Sequence, residues 1–219
     1  HYPLRRQRQM CIETDATLIF RRTDAAEVDV AGSISGTGSV LYEGSGTSNQ
    51  SRYTGNSAST YSGGTTISNA RVNLSNATGF GSGAVTINSG ATAFITVVGT
   101  VTNPFTLAGN GWIESAGQLG ALRLATGSIL TGAITLAGNT RIAVNTAGTA
   151  TISSPISGAF ALELGEDTAT GTLNLNGART YTGPTNVTAG RLALGGSLTS
   201  AISAGTVSYT HLRAHETEA

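Results

Sequence analysis

The segment Thr60–Ile67 reads TYSGGTTI, and 120 residues later the segment Thr180–Val187 reads TYTGPTNV. Tyrosine, glycine and threonine return at the same positions, and an arginine and a leucine follow each segment at the same distance. The repeated residues, which are the candidate structural sites of the chain, are Tyr61, Gly63, Gly64, Thr65, Arg71 and Leu74, and then Tyr181, Gly183, Thr185, Arg191 and Leu194. Self-similarity of this kind predicts stacked units that contact mainly their neighbours. With coils of roughly 20 residues, the two copies should lie about six coils apart, at the same place on their coils.

Pairs of apolar residues two positions apart recur about every ten residues from residue 72 onward, with turn-forming residues between them. Side chains two positions apart share one face of a β-strand, so each pair predicts a short strand with one buried face. The pairs are Val72/Leu74, Val85/Ile87, Ile95/Val97, Phe105/Leu107, Leu122/Leu124, Ile134/Leu136, Ile142/Val144, Leu162/Leu164, Leu173/Leu175 and Leu192/Leu194. Such strands suit a sandwich or a solenoid. The long-range repeat and the similar size of the inward residues favour an all-β, single-stranded parallel β-helix with minimal helix content.

The composition of the chain narrows the partners that it is expected to bind. Of its 219 residues, 39% are hydrophobic, 11% are charged and 5% are aromatic, and the net charge is zero. Because there is no basic field to hold phosphates, we predict no nucleic-acid partner. No apolar run approaches the roughly 20 residues that span a bilayer, and no signal-peptide pattern is visible, so we predict no membrane span here.

The positions of the reactive side chains argue against an enzyme. Lysine is absent, and the histidines and the cysteine are confined to the ends, as His1, Cys11, His211 and His215. The intervening body therefore has no Ser-His-Asp triad, thiolate nucleophile or Schiff-base lysine. It also lacks the nitrogen and sulfur ligands that transition metals usually take. The sequence predicts no catalytic residues, no metal site and no cofactor.

Both ends of the chain differ sharply in composition from the body. Residues 1–12 and 207–219 resemble translated sequencing-adapter tails, and we expect neither to belong to the folded unit. The alternatives are a basic nucleic-acid arm at residues 1–12 and a histidine metal site at residues 207–219. The predicted organisation is a tail at 1–12, a β-helix at 13–206 with repeat motifs near 60–76 and 180–196, and a tail at 207–219.

The repeated motifs resemble the autotransporter-associated β-strand repeat, also called the passenger-associated transport repeat. The likeness rests on Ile34–Gly38, Tyr61–Ile67, Ile156–Gly158, Thr172–Gly177 and Gly190–Gly195. It implies a secreted, right-handed β-helical passenger segment inside a longer parent chain that a C-terminal region anchors in the outer membrane. Two features depart from the pattern: Pro184 replaces the usual second glycine, and residues 44–58 lack the expected Leu-x-Leu strand.

We therefore expect a non-enzymatic, extracellular stalk or passenger segment at a bacterial surface, with adhesive contacts to host or cell-surface glycans or proteins as an additional role. A β-helix polysaccharide hydrolase or lyase is the enzyme alternative, and it predicts that two acids and an arginine converge in one groove. The residues that decide this are Glu114, Glu163, Glu166, Asp167, Arg123 and Arg141, whereas Arg71 and Arg191 could bind anionic glycans. A glycan-binding module is the other alternative, and it predicts that Trp112 and tyrosines share an outer face.

Overall fold

The computed structural model describes residues 10–24, 26–45, 51–145, 147–165 and 170–195, and within them it contains strands and no helix. The first eight strands are β1 (Met10–Ile12), β2 (Thr17–Arg21), β3 (Glu27–Val30), β4 (Ile34–Gly36), β5 (Ser39–Glu43), β6 (Arg52–Gly55), β7 (Thr65–Ser68) and β8 (Arg71–Leu74). The next eight are β9 (Val85–Ile87), β10 (Thr92–Ile95), β11 (Gly99–Val101), β12 (Phe105–Gly109), β13 (Ile113–Glu114), β14 (Gly117–Gln118), β15 (Leu122–Leu124) and β16 (Ser128–Leu130). The last seven are β17 (Ile134–Val144), β18 (Thr149–Ile152), β19 (Ile156–Gly158), β20 (Leu162–Leu164), β21 (Thr172–Leu175), β22 (Thr185–Val187) and β23 (Arg191–Leu194).

These strands wind around one axis as a parallel β-solenoid, or β-helix, of about eight coils. Successive strands of a coil lie on faces A, B and C in turn, and each strand pairs in parallel with strands of adjacent coils. Face A contains β2, β5, β7, β9, β12, the start of β17, and β19. Face B contains β3, β6, β8, β10, β15, the end of β17, β20 and β22. Face C contains β11, β16, β18, β21 and β23, and in the first coils the β1–β4 pair takes its place. The predicted fold class is confirmed, and a two-sheet sandwich is excluded.

The core is the column of side chains that point toward the axis. Both residues of most predicted apolar pairs are buried, as in the strands Arg71–Leu74 and Leu122–Leu124, where buried and partly exposed positions alternate. In the last described coil, Leu192 and Leu194 are only partly buried. Small polar residues occupy the outer side, and Thr66, Thr86, Thr106 and Thr135 lie in one column on face A. The coils are thus held by backbone pairing and by aliphatic stacking together.

Two segments whose sequences depart from the predicted strand pattern nevertheless contain paired strands. Strand β1, Met10–Ile12, lies within the predicted tail 1–12 but pairs in parallel with Ile34–Gly36. Within the irregular stretch 44–58, residues 46–50 lie outside the described residues, whereas Arg52–Gly55 forms a regular strand of face B. The tail predicted at 207–219 lies outside the described residues.

The two repeat motifs lie on different faces of the solenoid. Thr60 and Ser62 donate backbone hydrogen bonds to Ile34 and Gly36 of β4, in the face C position. Thr180 and Thr182 make the equivalent bonds to Ile156 and Gly158 of β19, on face A.

The predicted separation of six whole coils is wrong, because the second motif lies five coils and one further face along the chain. Unequal coil lengths are the cause. Val85 pairs with Phe105, which is 20 residues later, but Phe105 pairs with Ile134, which is 29 residues later. Each motif nevertheless builds the same local arrangement on the preceding coil.

Candidate functional site

The charged side chains of the central coils all lie on face B or over it. Between residues 51 and 165 the sequence has only six charged residues, Arg52, Arg71, Glu114, Arg123, Arg141 and Glu163. Five of them belong to face B strands, where they alternate with buried apolar residues and therefore point outward. The sixth, Glu114, reaches the face from the hairpin β13–β14. We call this surface the charged face.

Two small residues make a gap in the charged face. Arg71 pairs with Thr92 in the next coil, and the pairing of β10, β15 and β17 then places Ala121 and Arg141 in the same column. Because Thr92 and Ala121 are short, the column has free space between its two arginines. The hairpin occupies that space.

The hairpin is an insertion at the corner between β12 and β15, and the segment 110–120 that carries it is called the strap below. Its backbone is fixed by Thr92, whose Oγ1 accepts the Trp112 N–H at 2.8 Å and donates to the Gly120 carbonyl at 2.7 Å. Trp112 is only 1% exposed. Trp112 therefore serves the packing between the strap and the coils.

A bridging carboxylate attaches the tip of the strap to two coils. Glu114 Oε2 accepts from Nη1 of Arg71 at 2.9 Å, and Glu114 Oε1 lies 3.4 Å from Nη1 of Arg123. The three side chains are 11% to 12% exposed. Arg71 and Arg123 belong to strands that flank β10, so one carboxylate spans three coils.

A second ion pair lies farther along the charged face. Arg141 donates to Glu163 Oε1 from Nε at 3.1 Å and from Nη2 at 2.9 Å, while its Nη1 donates to the Gln118 carbonyl of the strap at 2.5 Å. Thr188 adds a hydrogen bond to the same carboxylate at 3.0 Å. Glu163 points outward, as alternation predicts, but its carboxylate is bound rather than free in solvent.

Aromatic rings support two of the guanidinium groups. The Arg71 guanidinium lies 5.8 Å from the centre of the Trp112 ring, and that of Arg123 lies 4.7 Å from the centre of the Phe94 ring. Cation–π contacts of this kind hold a guanidinium in a fixed orientation. Arg123 also donates from Nη2 to Asn145 Oδ1 at 2.8 Å. The two arginines are therefore positioned by several contacts each.

The convergence that would favour an enzyme is present in part. Glu114 and Glu163 share the charged face with Arg123 and Arg141, but the acids are bound in ion pairs. Glu166 and Asp167 lie outside the described residues. The charged face therefore binds the carboxylates of Glu114 and Glu163 through arginine guanidinium groups.

The repeated tyrosine and threonine of the two motifs are bonded to each other in both copies. The hydroxyl pairs are Tyr61–Thr65 and Tyr181–Thr185, and all four side chains are buried. Each pair connects a tyrosine at the end of one face with the threonine that begins the strand on the following face. Both pairs therefore lie between consecutive faces of the solenoid, where they serve packing.

The repeated glycines allow one coil to approach the one before it. A Cβ on Gly63 would lie 2.5 Å from the Gly38 backbone, and a Cβ on Gly183 would lie 2.2 Å from that of Phe160. Gly64 has a φ of +88°. Proline cannot adopt a positive φ, so the backbone at Pro184 in the second copy must differ. Both carbonyls still accept an amide of the preceding coil, Val40 for Gly64 and Leu162 for Pro184.

The repeated arginines and leucines have unequal surroundings. Arg71 lies in the charged face, whereas Arg191 is exposed at the start of β23 on face C, so the two do not form one site. Leu74 is fully buried, and Leu194 in the last described coil is partly buried. The strap covers Arg71, whose side chain is only 12% exposed.

The aromatic platform that a glycan-binding module predicts is not formed by the described residues. Trp112 is buried between the strap and the coils, and the described tyrosines, Tyr42, Tyr53, Tyr61 and Tyr181, are buried as well. The chain has few aromatic residues, and Trp112 and these tyrosines fill the core and the corners of the coils. They are therefore not available to form an outer platform.

Sequence reasoning missed the strap and the roles of Thr92 and Gln118. One signal was available: the apolar pairs Phe105/Leu107 and Leu122/Leu124 are separated by more residues than their neighbours are. That excess, which is rich in glycine and contains the only tryptophan, marks an insertion. Its contacts with Arg71 depend on how the coils stack, which the local pattern does not determine.

No family model, no curated protein and no solved structure matches this chain. Among the described residues there is no helix of the length and apolar character needed to cross a membrane.

Proposed function

We propose that this chain is a non-enzymatic, extracellular stalk or passenger segment of a larger bacterial surface protein of the autotransporter type. Its work is mechanical: it holds other parts of the parent protein away from the outer membrane. Adhesive contacts with host or cell-surface glycans or proteins are an additional role in this proposal.

The observation that carries the proposal is the unbroken parallel pairing of the coils. Face B pairs without interruption from Glu27–Val30 to Thr185–Val187, so each coil between them is bonded on both sides. A rod of this kind is held by backbone hydrogen bonds along its whole length and resists bending. The outer side carries mainly polar residues, and both carboxylates of the charged face are bound in the ion pairs described above.

The proposal is tested by display on cells. The chain is fused between an N-terminal epitope and an outer-membrane translocator barrel, and epitope exposure is measured on intact cells by antibody labelling. We expect the epitope to be labelled on intact cells, and we expect the labelling to fall when the solenoid is destabilised. Gly63→Val, which places a side chain against the Gly38 backbone, should reduce labelling, whereas Gly55→Ala should not. Absence of display, or equal labelling with Gly63→Val, would contradict a role as a stalk.

A β-helix polysaccharide hydrolase or lyase is the second candidate, because Glu114 and Glu163 form ion pairs with three arginines of the charged face. An enzyme would have to release a carboxylate from its ion pair before using it in acid–base chemistry. A reducing-end assay on uronate and neutral polysaccharides tests this candidate. Activity that is lost in both Glu114→Gln and Glu163→Gln would establish it, and no activity in the wild type would remove it.

A further inference from the structure

The strap has few means of staying folded on its own. Its strands, Ile113–Glu114 and Gly117–Gln118, have two residues each, and an isolated hairpin of this size is unstable in water. It is held to the coils by Trp112, by the Glu114 bridge, and by the bond from Arg141 to Gln118. Gly111 and Gly120 at its ends have positive φ angles of +101° and +114°. The strap is thus a short segment with glycine ends and side-chain attachments.

We propose that the strap closes a binding site for carboxylate-bearing saccharides, formed by Arg71 and Arg123, and that Glu114 occupies the place of the ligand carboxylate. The site is latent while Glu114 is bound and opens when the strap lifts from the charged face. This assignment does not depend on the rod's location at a cell surface.

The arrangement of the two arginines is the first argument. They belong to coils two steps apart, which places their backbones roughly 10 Å from each other, yet their side chains converge on one carboxylate. Guanidinium groups are the side chains best suited to bind carboxylate oxygens. The Phe94 ring, which belongs to a face B strand and not to the strap, orients the Arg123 guanidinium. The geometry therefore recognises a carboxylate.

The unpaired atoms beside Arg71 favour a saccharide over an acidic peptide. Arg71 Nε is a buried donor with no hydrogen-bond partner among the described residues, and Asn73 Oδ1, two residues along the same strand, is a buried acceptor with none. Buried polar atoms of this kind usually have partners. Sugar hydroxyls both donate and accept, so a saccharide supplies an acceptor for Arg71 Nε and a donor for Asn73 Oδ1. The side chains of an acidic peptide supply carboxylate acceptors only.

The strap competes with any added ligand. A tethered group acts at an effective concentration of the order of millimolar, so Glu114 keeps the affinity of the wild-type chain for an external carboxylate low. Glu114→Gln keeps the shape of the side chain but removes its charge. Arg71 and Arg123 then lose the carboxylate that bridges them, and an external one should bind more tightly.

The experiment uses the full chain and the fluorescence of Trp112, which is the only tryptophan in the sequence. Because Trp112 is buried at the base of the strap and contacts Arg71, opening should shift its emission to longer wavelength. The wild type and Glu114→Gln are titrated with an alginate hexasaccharide, with cellohexaose as the neutral probe and hexaglutamate as the peptide probe. Glu163→Gln is the matched control, because it removes a carboxylate of the same face that does not touch Arg71 or Arg123.

We expect Glu114→Gln to bind the hexauronate at least tenfold more tightly than the wild type, with a red shift of Trp112. The added Arg71→Gln substitution should abolish that gain, and Glu163→Gln should show none. Far-UV circular dichroism and the melting temperature establish that each variant is folded. If Glu114→Gln does not fold, Glu114→Asp, whose shorter side chain weakens the bridge, should show a smaller gain. Equal binding of hexaglutamate would overturn the saccharide assignment, and no gain in a folded Glu114 variant would overturn the site.

Discussion

The phenolic oxygen of Tyr61 lies 2.5 Å from Oγ1 of Thr65, and Tyr181 and Thr185 repeat this contact at 2.6 Å on another face of the solenoid. Thr65 Oγ1 also donates to the Phe80 carbonyl at 3.1 Å. Since its one hydrogen is used there, the tyrosine must be the donor. The hydroxyl pair thus connects the coil of the motif with the next coil along the chain.

Tyr61→Phe should lower the free energy of unfolding by about 1–2 kcal/mol, because it leaves a buried acceptor without its donor. Tyr181→Phe should cost less, since Tyr181 is slightly exposed and lies near the last described coil. Urea unfolding followed by circular dichroism measures both.

The matched double variant separates the hydrogen bond from packing. Combining Tyr61→Phe with Thr65→Val should show a coupling energy of at least 0.5 kcal/mol, the range typical of residues in contact. Fully additive effects would mean that the hydroxyl contact contributes no stability.

The repeated glycines give a second prediction. Gly63→Ala and Gly183→Ala should each cost more than about 2 kcal/mol, because the new Cβ would lie 2.5 Å and 2.2 Å from backbone atoms of the preceding coil. Thermal unfolding measures the loss.

Gly55→Ala is the control for this effect. A Cβ on Gly55 would have its nearest neighbours at 3.9 Å, so alanine fits there. The substitution should be neutral or should stabilise the chain by up to about 1 kcal/mol through the unfolded state. If all three variants were alike, close approach of the coils would not explain the repeat.

The strands and their buried faces were predictable from sequence because alternation is local. Leu122 and Leu124 are both buried in a three-residue strand, and the two-residue spacing alone indicates this. Minimal helix content follows in the same way, since the described residues contain no 3.6-residue period that a helix would need.

The relations between coils were not predictable, because they depend on the summed length of every coil. The strap lengthens one coil, so Tyr181 lies on face A although Tyr61 lies in the face C position. For the same reason nothing in the sequence pairs Glu114 with Arg71, which is 43 residues away. The local alternation of apolar residues therefore predicts the fold, whereas the lengths of the coils determine which residues meet in the charged face.

Alkaline pH should destabilise the solenoid through its buried tyrosines. Burial raises the pKa of Tyr61 and of Tyr53 to about 12, and it also raises the pKa of Tyr42 and Tyr181. In the unfolded chain the pKa of tyrosine is about 10. Above pH 10 the unfolded state therefore loses protons that the folded state keeps, and stability falls as pH rises.

The stability that these groups confer is fully present below pH 10 and is lost as pH rises through the folded-state pKa values. For Tyr61 the loss by pH 12 should be roughly 2 kcal/mol. Urea midpoints measured from pH 8 to 12, with tyrosinate absorbance recorded in parallel, test this. Tyr61→Phe should flatten the curve, and a pH-independent midpoint up to pH 12 would contradict the prediction.

Thr92 should control the attachment of the strap. Thr92→Val removes the oxygen that accepts from Trp112 N–H and donates to the Gly120 carbonyl, leaving two buried backbone groups unpaired. Each should cost about 1–3 kcal/mol, and most of this should appear as loosening of the strap. We expect a red shift of Trp112 emission and faster cleavage near residues 113–118 by added protease. Thr92→Ser keeps the hydroxyl and should behave as the wild type. If Thr92→Val left the emission of Trp112 unchanged, the strap would be held by its ion pairs alone.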